Sequence, residues 1–228
     1  MMAAAPVTAL RDADTLHIVF DFAGVVFRWQ PLELVRRHLP RHAADLDAAR
    51  VAMDAVFEGF GGDWALFDRG RLDTDELVRR IVARSGFDAA GVAALVDAVP
   101  HALEPDADTV DLLSRLRAAG ARLHFLSNMP LPYAAHLDRT HPAVIAHFAS
   151  GLYSARAGLI KPEAALFARA GEHFAAPAHC LMLIDDTAVN VEAARRLGWH
   201  ALHFTDALSC ERALRDRRWW PADPRAES

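Results

Sequence analysis

Residues 16–31 read LHIVFDFAGVVFRWQP, and this stretch constrains the fold more than any other part of the chain. An apolar run ends in a single acid, Asp21, and small residues at Ala23 and Gly24 then let the backbone turn sharply. A short continuous apolar run bounded by turn residues reads as a strand buried on both faces. The pattern predicts a strand over residues 16–22, with Asp21 at its carboxyl end, where open α/β sheets bind ligands. A carboxylate in that position is costly without a partner. The rest of the chain must therefore bring a cation and hydrogen-bond donors to it.

After Pro31 the apolar period becomes helical. Leu46, Ala49, Met53, Val56, Phe57 and Phe60 define one helix face, broken by Gly61-Gly62. Residues 64–70 read as a short connector. Asp73 followed by Glu76 has capping-box spacing and opens the next helix. A further helix over residues 89–99 stops at Pro100. Residues 31–105 thus read as a small helical insert between two parts, 1–30 and 106–228, of one α/β core. In the second part, strands are expected at 122–126, 148–154, 180–184 and 201–204. Helices lie between them, the first ended by Gly120, and Lys161-Pro162 places a proline at the first turn of another. Alternating strands and helices predict a doubly wound, Rossmann-like parallel sheet. Residues 1–15 read as a loose arm and 216–228 as a charged tail.

Composition excludes several classes. With net charge −5 the chain has no global nucleic-acid or membrane field. The N-terminus lacks a basic leader, and no apolar run approaches the ~18 residues of a membrane helix. Cys180 and Cys210 read as reduced core thiols, so a cytoplasmic protein, monomer or homodimer, is expected. The twelve histidines are scattered without ligand spacing. The basic end at Arg212 to Trp220 reads as a solvated helix terminus. Lys161 is the sole lysine of the sequence.

Asp21, Ser127-Asn128, Lys161 and Asp185-Asp186 each follow an apolar strand or precede a helix, and a doubly wound sheet gathers such positions at one edge. Taken singly, the pair Asp185-Asp186 could cap a helix, and Ser127-Asn128 could be turn chemistry. Together they make a site. Carboxylates from two strands suit a hard divalent cation. The lysine and hydroxyl suit phosphoryl oxygens, and one carboxylate is left to attack phosphorus.

These motifs, FDFAGVVF, LSN, Lys161-Pro162 and LIDDTAVN in that order, resemble the haloacid dehalogenase-like hydrolase superfamily over residues 18–204. The resemblance implies a Rossmann-like core with a helical cap inserted after the first motif. WALFDRGRLDTDEL is similar to the cap of a branch that includes sugar-phosphate phosphatases. It further implies Asp21 as nucleophile and Ser127 and Lys161 as phosphoryl-binding groups, with Asn128 and Gly24 beside them. Mg²⁺ would be held by Asp21, Asp186, the carbonyl of Ala23 and, close by, Asp185.

One departure matters. Phosphatases of this superfamily mostly carry a second Asp where this chain has Ala23, and loss of such an acid costs ~10² to 10⁴ in rate. Relatives with Ala here include phosphonoacetaldehyde hydrolases, but those need a cap lysine, and this cap has none. Haloacid dehalogenases also lack the acid, yet carry Ser-Ser-Asn in place of Asp185-Asp186. The expected activity is a Mg²⁺-dependent phosphatase acting on a small phosphorylated metabolite such as a sugar phosphate. The alternatives are a metal-independent dehalogenase and a catalytically weak relative that binds a phospho-ligand or a partner. Without an acid at position 23, aryl and anomeric phosphates should be favoured over alkyl ones. A replacement acid is sought in the cap, at Asp63, Asp68 or His38. Arg28, Trp29, Asp63, Trp64 and Arg69 are candidates to line the cap side.

Overall fold

A computed structural model describes residues 16–221; the expected arm and the end of the expected tail lie outside them. Five parallel strands form one sheet: β1 (His17–Phe20), β2 (Arg122–Ser127), β3 (Ser150–Tyr153), β4 (Leu181–Asp185) and β5 (His200–His203), in the spatial order β3-β2-β1-β4-β5. The chain steps outward on one side of β1 through β2 and β3, then crosses over to β4 and β5. The switch point therefore falls between β1 and β4, and Asp21 and Asp185 flank it.

The strands are buried on both faces, as their continuous apolar runs require. Ile18, Phe20, Leu123, Phe125, Met182 and Ile184 face one layer. Val19, Leu126, Leu181 and Leu183 face the other. The first layer is covered by α6 (Ala107–Ala118), α7 (Leu131–Thr140) and α12 (Ala207–Asp216), and the second by α10 (Ala164–His173) and α11 (Ala188–Arg196). Two single-turn helices, α8 (Pro142–Ile145) and α9 (Ser154–Ala157), flank β3. Gly120, at φ +88°, follows the end of α6.

Between β1 and α6 lie α1 (Pro31–His38), α2 (Leu46–Phe57), α3 (Asp63–Asp68), α4 (Thr74–Ser85) and α5 (Ala89–Ala102). They pack on one another: α1 against α2 and α5, α4 against α3 and α5. The chain enters and leaves this insert side by side. Arg28 N–H donates to Glu104 O at 2.8 Å, and Asp106 N–H to Val26 O at 2.9 Å. The apolar interior is continuous from the sheet through Trp64, Phe67 and Tyr133 into the insert.

The structure corrects several local expectations. Helix α2 ends at Phe57, because Glu58 turns left-handed (φ 47°) and its carboxylate accepts from Asp63 N–H at 2.9 Å. That bond caps a helix, α3, where a connector was expected; Trp64 and Phe67 bury one face of it. At α4 only half of the capping box forms: Asp73 accepts from Glu76 N–H at 2.8 Å, while the Glu76 side chain pairs with Arg80. Pro162 lies outside α10, which begins at Ala164. The preceding Lys161 is held in a loop by Asn128, which accepts from its N–H at 2.8 Å and donates to its carbonyl at 3.0 Å. The arginines of the basic end, Arg212, Arg215, Arg217 and Arg218, are exposed, as expected of a solvated helix terminus, and Arg215 also stacks over Trp220 at 4.0 Å.

Helix α5 also runs through Pro100 rather than stopping at it. A proline there removes the N–H that would reach the carbonyl of Val96. The Tyr133 hydroxyl donates to that carbonyl instead, at 2.7 Å, and ties the insert to α7. Tyr133→Phe should therefore cost about 1–3 kcal/mol in urea unfolding, by stranding a buried acceptor. The cost should shrink in a Pro100→Ala background, where residue 100 regains its N–H. An equal cost in both backgrounds would show that the hydroxyl does not stand in for the missing amide.

Candidate active site

The sheet brings the separated acids together. The pairing of β1 with β4 continues to Asp21, whose N–H donates to Ile184 O at 2.9 Å. Asp21, Asp185 and Asp186 each offer an oxygen within 4.8 Å of the others, the one group of possible metal ligands among the described residues. Lys161 enters from the loop before α10. Its Nζ lies 2.9 Å from Asp21 Oδ1 and 2.6 Å from Asp185 Oδ2. The ammonium is 1% exposed, so these are its partners in place of water.

The three acids differ in what they have left to offer. Asp185 is fully engaged: Oδ1 accepts from Thr187 N–H at 2.9 Å and Asn190 Nδ2 at 3.0 Å, and Oδ2 from Lys161. Capping of the following turn and ion pairing thus coexist at this residue. Asp21 Oδ1 accepts from Phe22 N–H at 2.7 Å and pairs with Lys161, while Oδ2 accepts no hydrogen bond among the described residues. Asp186 is partly exposed and receives Thr187 Oγ1 at 3.2 Å.

One lysine does not neutralise three carboxylates. Burial pushes the Asp21 carboxyl up to about 7 against the pull of Lys161, and Asp185 and Asp186 add to the rise. Burial and then the charge of Asp185 also raise Asp186. For Lys161, burial works against the charge, but the two carboxylates outweigh it and hold the ammonium above its ordinary value. An all-oxygen set with excess negative charge fits a hard divalent cation. Gly24 makes room beside it: at φ +82° it is in left-handed backbone, and a Cβ there would overlap the Asp186 carboxylate. Its N–H is used on Phe27 O at 2.8 Å.

Ser127 ends β2, and its buried hydroxyl has no hydrogen-bond partner among the described residues. A buried hydroxyl without a partner has bonding capacity to spare for a further oxygen. Asn128, next to it, has its amide committed to both sides of Lys161.

Above these groups opens a cavity of about 630 Å³. Its floor is Asp21, Ala23, Asn128, Lys161 and Asp186, and its walls are mainly apolar: Trp29, Met53, Phe57, Phe60, Trp64, Val99, Met129 and Ile160. Of the expected cap-side residues, Trp29 and Trp64 line it. Arg28 turns instead to Asp106 at 3.6 Å, Arg69 pairs with Glu163, and Asp63 is held by Arg80 and Arg84. His38 lies outside the lining, and Asp68 lies within it. Burial and then the charge of Asp21 push the Asp68 carboxyl up to about 8, opposed by Arg69 and Lys161.

Sequence reasoning missed Asn190, which is buried and donates to both oxygens of Asp185. Its signal was its place one turn past the acidic pair, facing back over the strand end. It also missed Tyr133 and the aromatic walls, whose separate segments carry no common pattern.

The chain is similar to a sesquiterpene phosphatase of Aspergillus oryzae, 25% identical over 198 residues, which covers 86% of this chain and 93% of that one. A HAD-family enzyme of Bacteroides thetaiotaomicron, solved in complex with magnesium and inorganic phosphate, shares the fold at TM-score 0.65 and 17% identity, over 84% of this chain and 94% of its own. So does an L-2-haloacid dehalogenase of Xanthobacter autotrophicus, solved with chloropropionic acid covalently bound, at TM-score 0.62 and 16% identity, over 89% and 83%. The profile of the haloacid dehalogenase-like hydrolases matches residues 16–198. With its five-stranded parallel sheet and its acids gathered at the β1/β4 switch point, this chain belongs to that family of hydrolases.

Proposed function

We propose that this hydrolase is a Mg²⁺-dependent phosphatase for a phosphomonoester with an apolar alcohol. The observation that carries the phosphatase reading is the cluster of three carboxylates around one buried lysine. A dehalogenase needs one attacking carboxylate and gains nothing from two further acids. A phosphoryl dianion can be brought to Asp21 only if that excess charge is neutralised.

Residues 31–105 act as a cap over a core whose described parts are 16–30 and 106–221. Asp21, Asp186 and the Ala23 carbonyl would hold the cation, with Asp185 orienting Lys161 beside it. When bound, the cation would supply the positive charge that offsets the carboxylates and the phosphoryl group. Lys161 and the Ser127 hydroxyl receive the remaining phosphoryl oxygens. Asp21 attacks phosphorus, the ester oxygen departs, and water then cleaves the aspartyl-phosphate.

The substrate class follows from the walls. A sugar hydroxyl against Trp29, Phe57, Trp64 and Met129 would lose its hydrogen bonds to water without replacement. A hydrocarbon tail fits, and the named activity of the Aspergillus relative is of that chemistry. The sugar-phosphate expectation is therefore set aside in favour of an isoprenoid-sized alcohol.

Chelation should abolish turnover of p-nitrophenyl phosphate and Mg²⁺ should restore it, whereas full activity in chelator would revive the dehalogenase. Asp21→Asn, which keeps the shape and removes the attacking anion, should lose at least about a thousandfold and trap no beryllofluoride. Near-normal turnover by that variant would remove Asp21 as the nucleophile. Along a series of linear alkyl and prenyl phosphates, KM should fall about fourfold per buried methylene until the cavity is filled. A preference for sugar phosphates over that series would contradict the apolar assignment.

A further inference from the structure

The reaction proposed above leaves one proton unassigned. Ala23 has no side chain to protonate the departing oxygen, and the other groups on the cavity floor are committed. Asp185 is saturated, Lys161 pairs with two carboxylates, and Asn128 is locked to the Lys161 backbone. The acid must come from the walls.

The walls carry three acids: Asp54, Glu58 and Asp68. Glu58 is used by Asp63 N–H and Arg84. Asp54 is exposed on α2. Asp68 is half-buried at the end of α3, and its carboxylate accepts no hydrogen bond and forms no ion pair among the described residues. The carboxylate of Asp21 is the strongest charge acting on it.

Asp68 is also the best fastened of the three. The Ser154 hydroxyl donates to its backbone carbonyl at 2.6 Å and receives Met129 N–H at 2.8 Å. Arg69 pairs with Glu163, ahead of α10. Gly70, at φ +69°, lies so close to Ala155 that a Cβ would meet its carbonyl at 3.2 Å. These ties fix the end of α3 to the loops that carry Asn128 and Lys161, so Asp68 is held in register with the core.

We propose that Asp68 is the general acid and base of this enzyme, supplied by the cap in place of the acid that most related phosphatases carry where this chain has Ala23. The inference rests on the phosphatase reading. In the first step an Asp21 oxygen forms a bond to phosphorus and the P–O bond to the alcohol breaks. The departing alkoxide takes the proton of the Asp68 carboxyl and leaves as the alcohol. In the second step the Asp68 carboxylate takes a proton from water as its oxygen bonds to phosphorus. The bond between phosphorus and Asp21 breaks, releasing phosphate and restoring both acids. Burial of Asp68 in the cavity wall favours its protonated form, which the first step requires. The groups that bear on it are Asp21, Arg69, Lys161 and the hydroxyl of Tyr133.

The test is the leaving-group dependence of kcat/KM, which reports the first step, for wild type and Asp68→Asn. In the wild type, kcat/KM should vary little across aryl and alkyl phosphates of rising leaving-group pKa. In Asp68→Asn it should fall about 10² to 10⁴-fold for an alkyl phosphate and by under about tenfold for p-nitrophenyl phosphate. Ala23→Asp should restore alkyl turnover in the Asp68→Asn background. Equal losses on both substrates, or none, would overturn the role of Asp68 while leaving the phosphatase reading intact. A steep leaving-group dependence in the wild type would overturn it even if the variant failed to fold. Absence of phosphatase turnover by the wild type would overturn both.

Discussion

The contact on which the site depends is the buried bridge from Lys161 to Asp21 and Asp185. An ammonium sealed from water is tolerated only when carboxylates face it, and carboxylates at the ends of two adjacent strands need a cation between them. Each therefore requires the others. The bridge joins β1 to β4 at the one place where the sheet reverses its winding, and it points the loop before α10 into the same crevice. Asn190 and Thr187 complete the shell of Asp185, and Asn128 fixes the backbone of Lys161. Such a closed polar network holds geometry well, because removing any member strands another. What remains without a partner among the described residues is the Ser127 hydroxyl, one oxygen of Asp21 and the exposed side of Asp186.

The helical insert is bound to that network by polar ties set within an apolar contact. Tyr133 reaches across to Val96 where Pro100 leaves a carbonyl open, Ser154 holds the Asp68 carbonyl, and Arg69 meets Glu163. Around them Trp64, Phe67 and Tyr133 pack edge to face. Two of these rings, Trp64 and Tyr133, also line the cavity, so part of the surface that attaches the insert to the core is surface that the proposed apolar substrate would meet.

Much of this was legible in the chain. The apolar runs around Val19 and Leu183 could only be buried strands, and each ended in an acid, so both the sheet and the position of its acids could be read. The sole lysine marked itself by its rarity. What could not be read were relations between segments. Asp68 was one of three cap candidates, with Asp63 and His38, and nothing in sequence ranked them; Asp68 lines the cavity, while Asp63 is taken by two arginines and His38 lies outside the lining. Pro100 looked like a helix stop because the hydroxyl that replaces its amide comes from a distant helix. Residues 64–70 looked like a connector because the cap of α3 is a side chain, Glu58, in an unusual backbone conformation. The aromatic wall is assembled from separated residues, Trp29, Phe57, Phe60, Trp64 and Tyr133, and has no linear signature.

The central claim is that the excess negative charge around Lys161 is there for a divalent cation. In metal-free protein, Asp21, Asp186 and Asp68 have pKa values raised above those of the unfolded chain, so their contribution favours the folded state at low pH. It is lost as pH rises toward about 7 for Asp21 and about 8 for Asp68. A cation that binds the ionised cluster reverses this loss. The direct measurement is the melting temperature between pH 6 and 8, in chelator and in millimolar Mg²⁺. The account predicts a stabilisation by Mg²⁺ that grows with pH over that window and disappears in Asp186→Asn. A melting temperature unchanged by Mg²⁺ at every pH would contradict it.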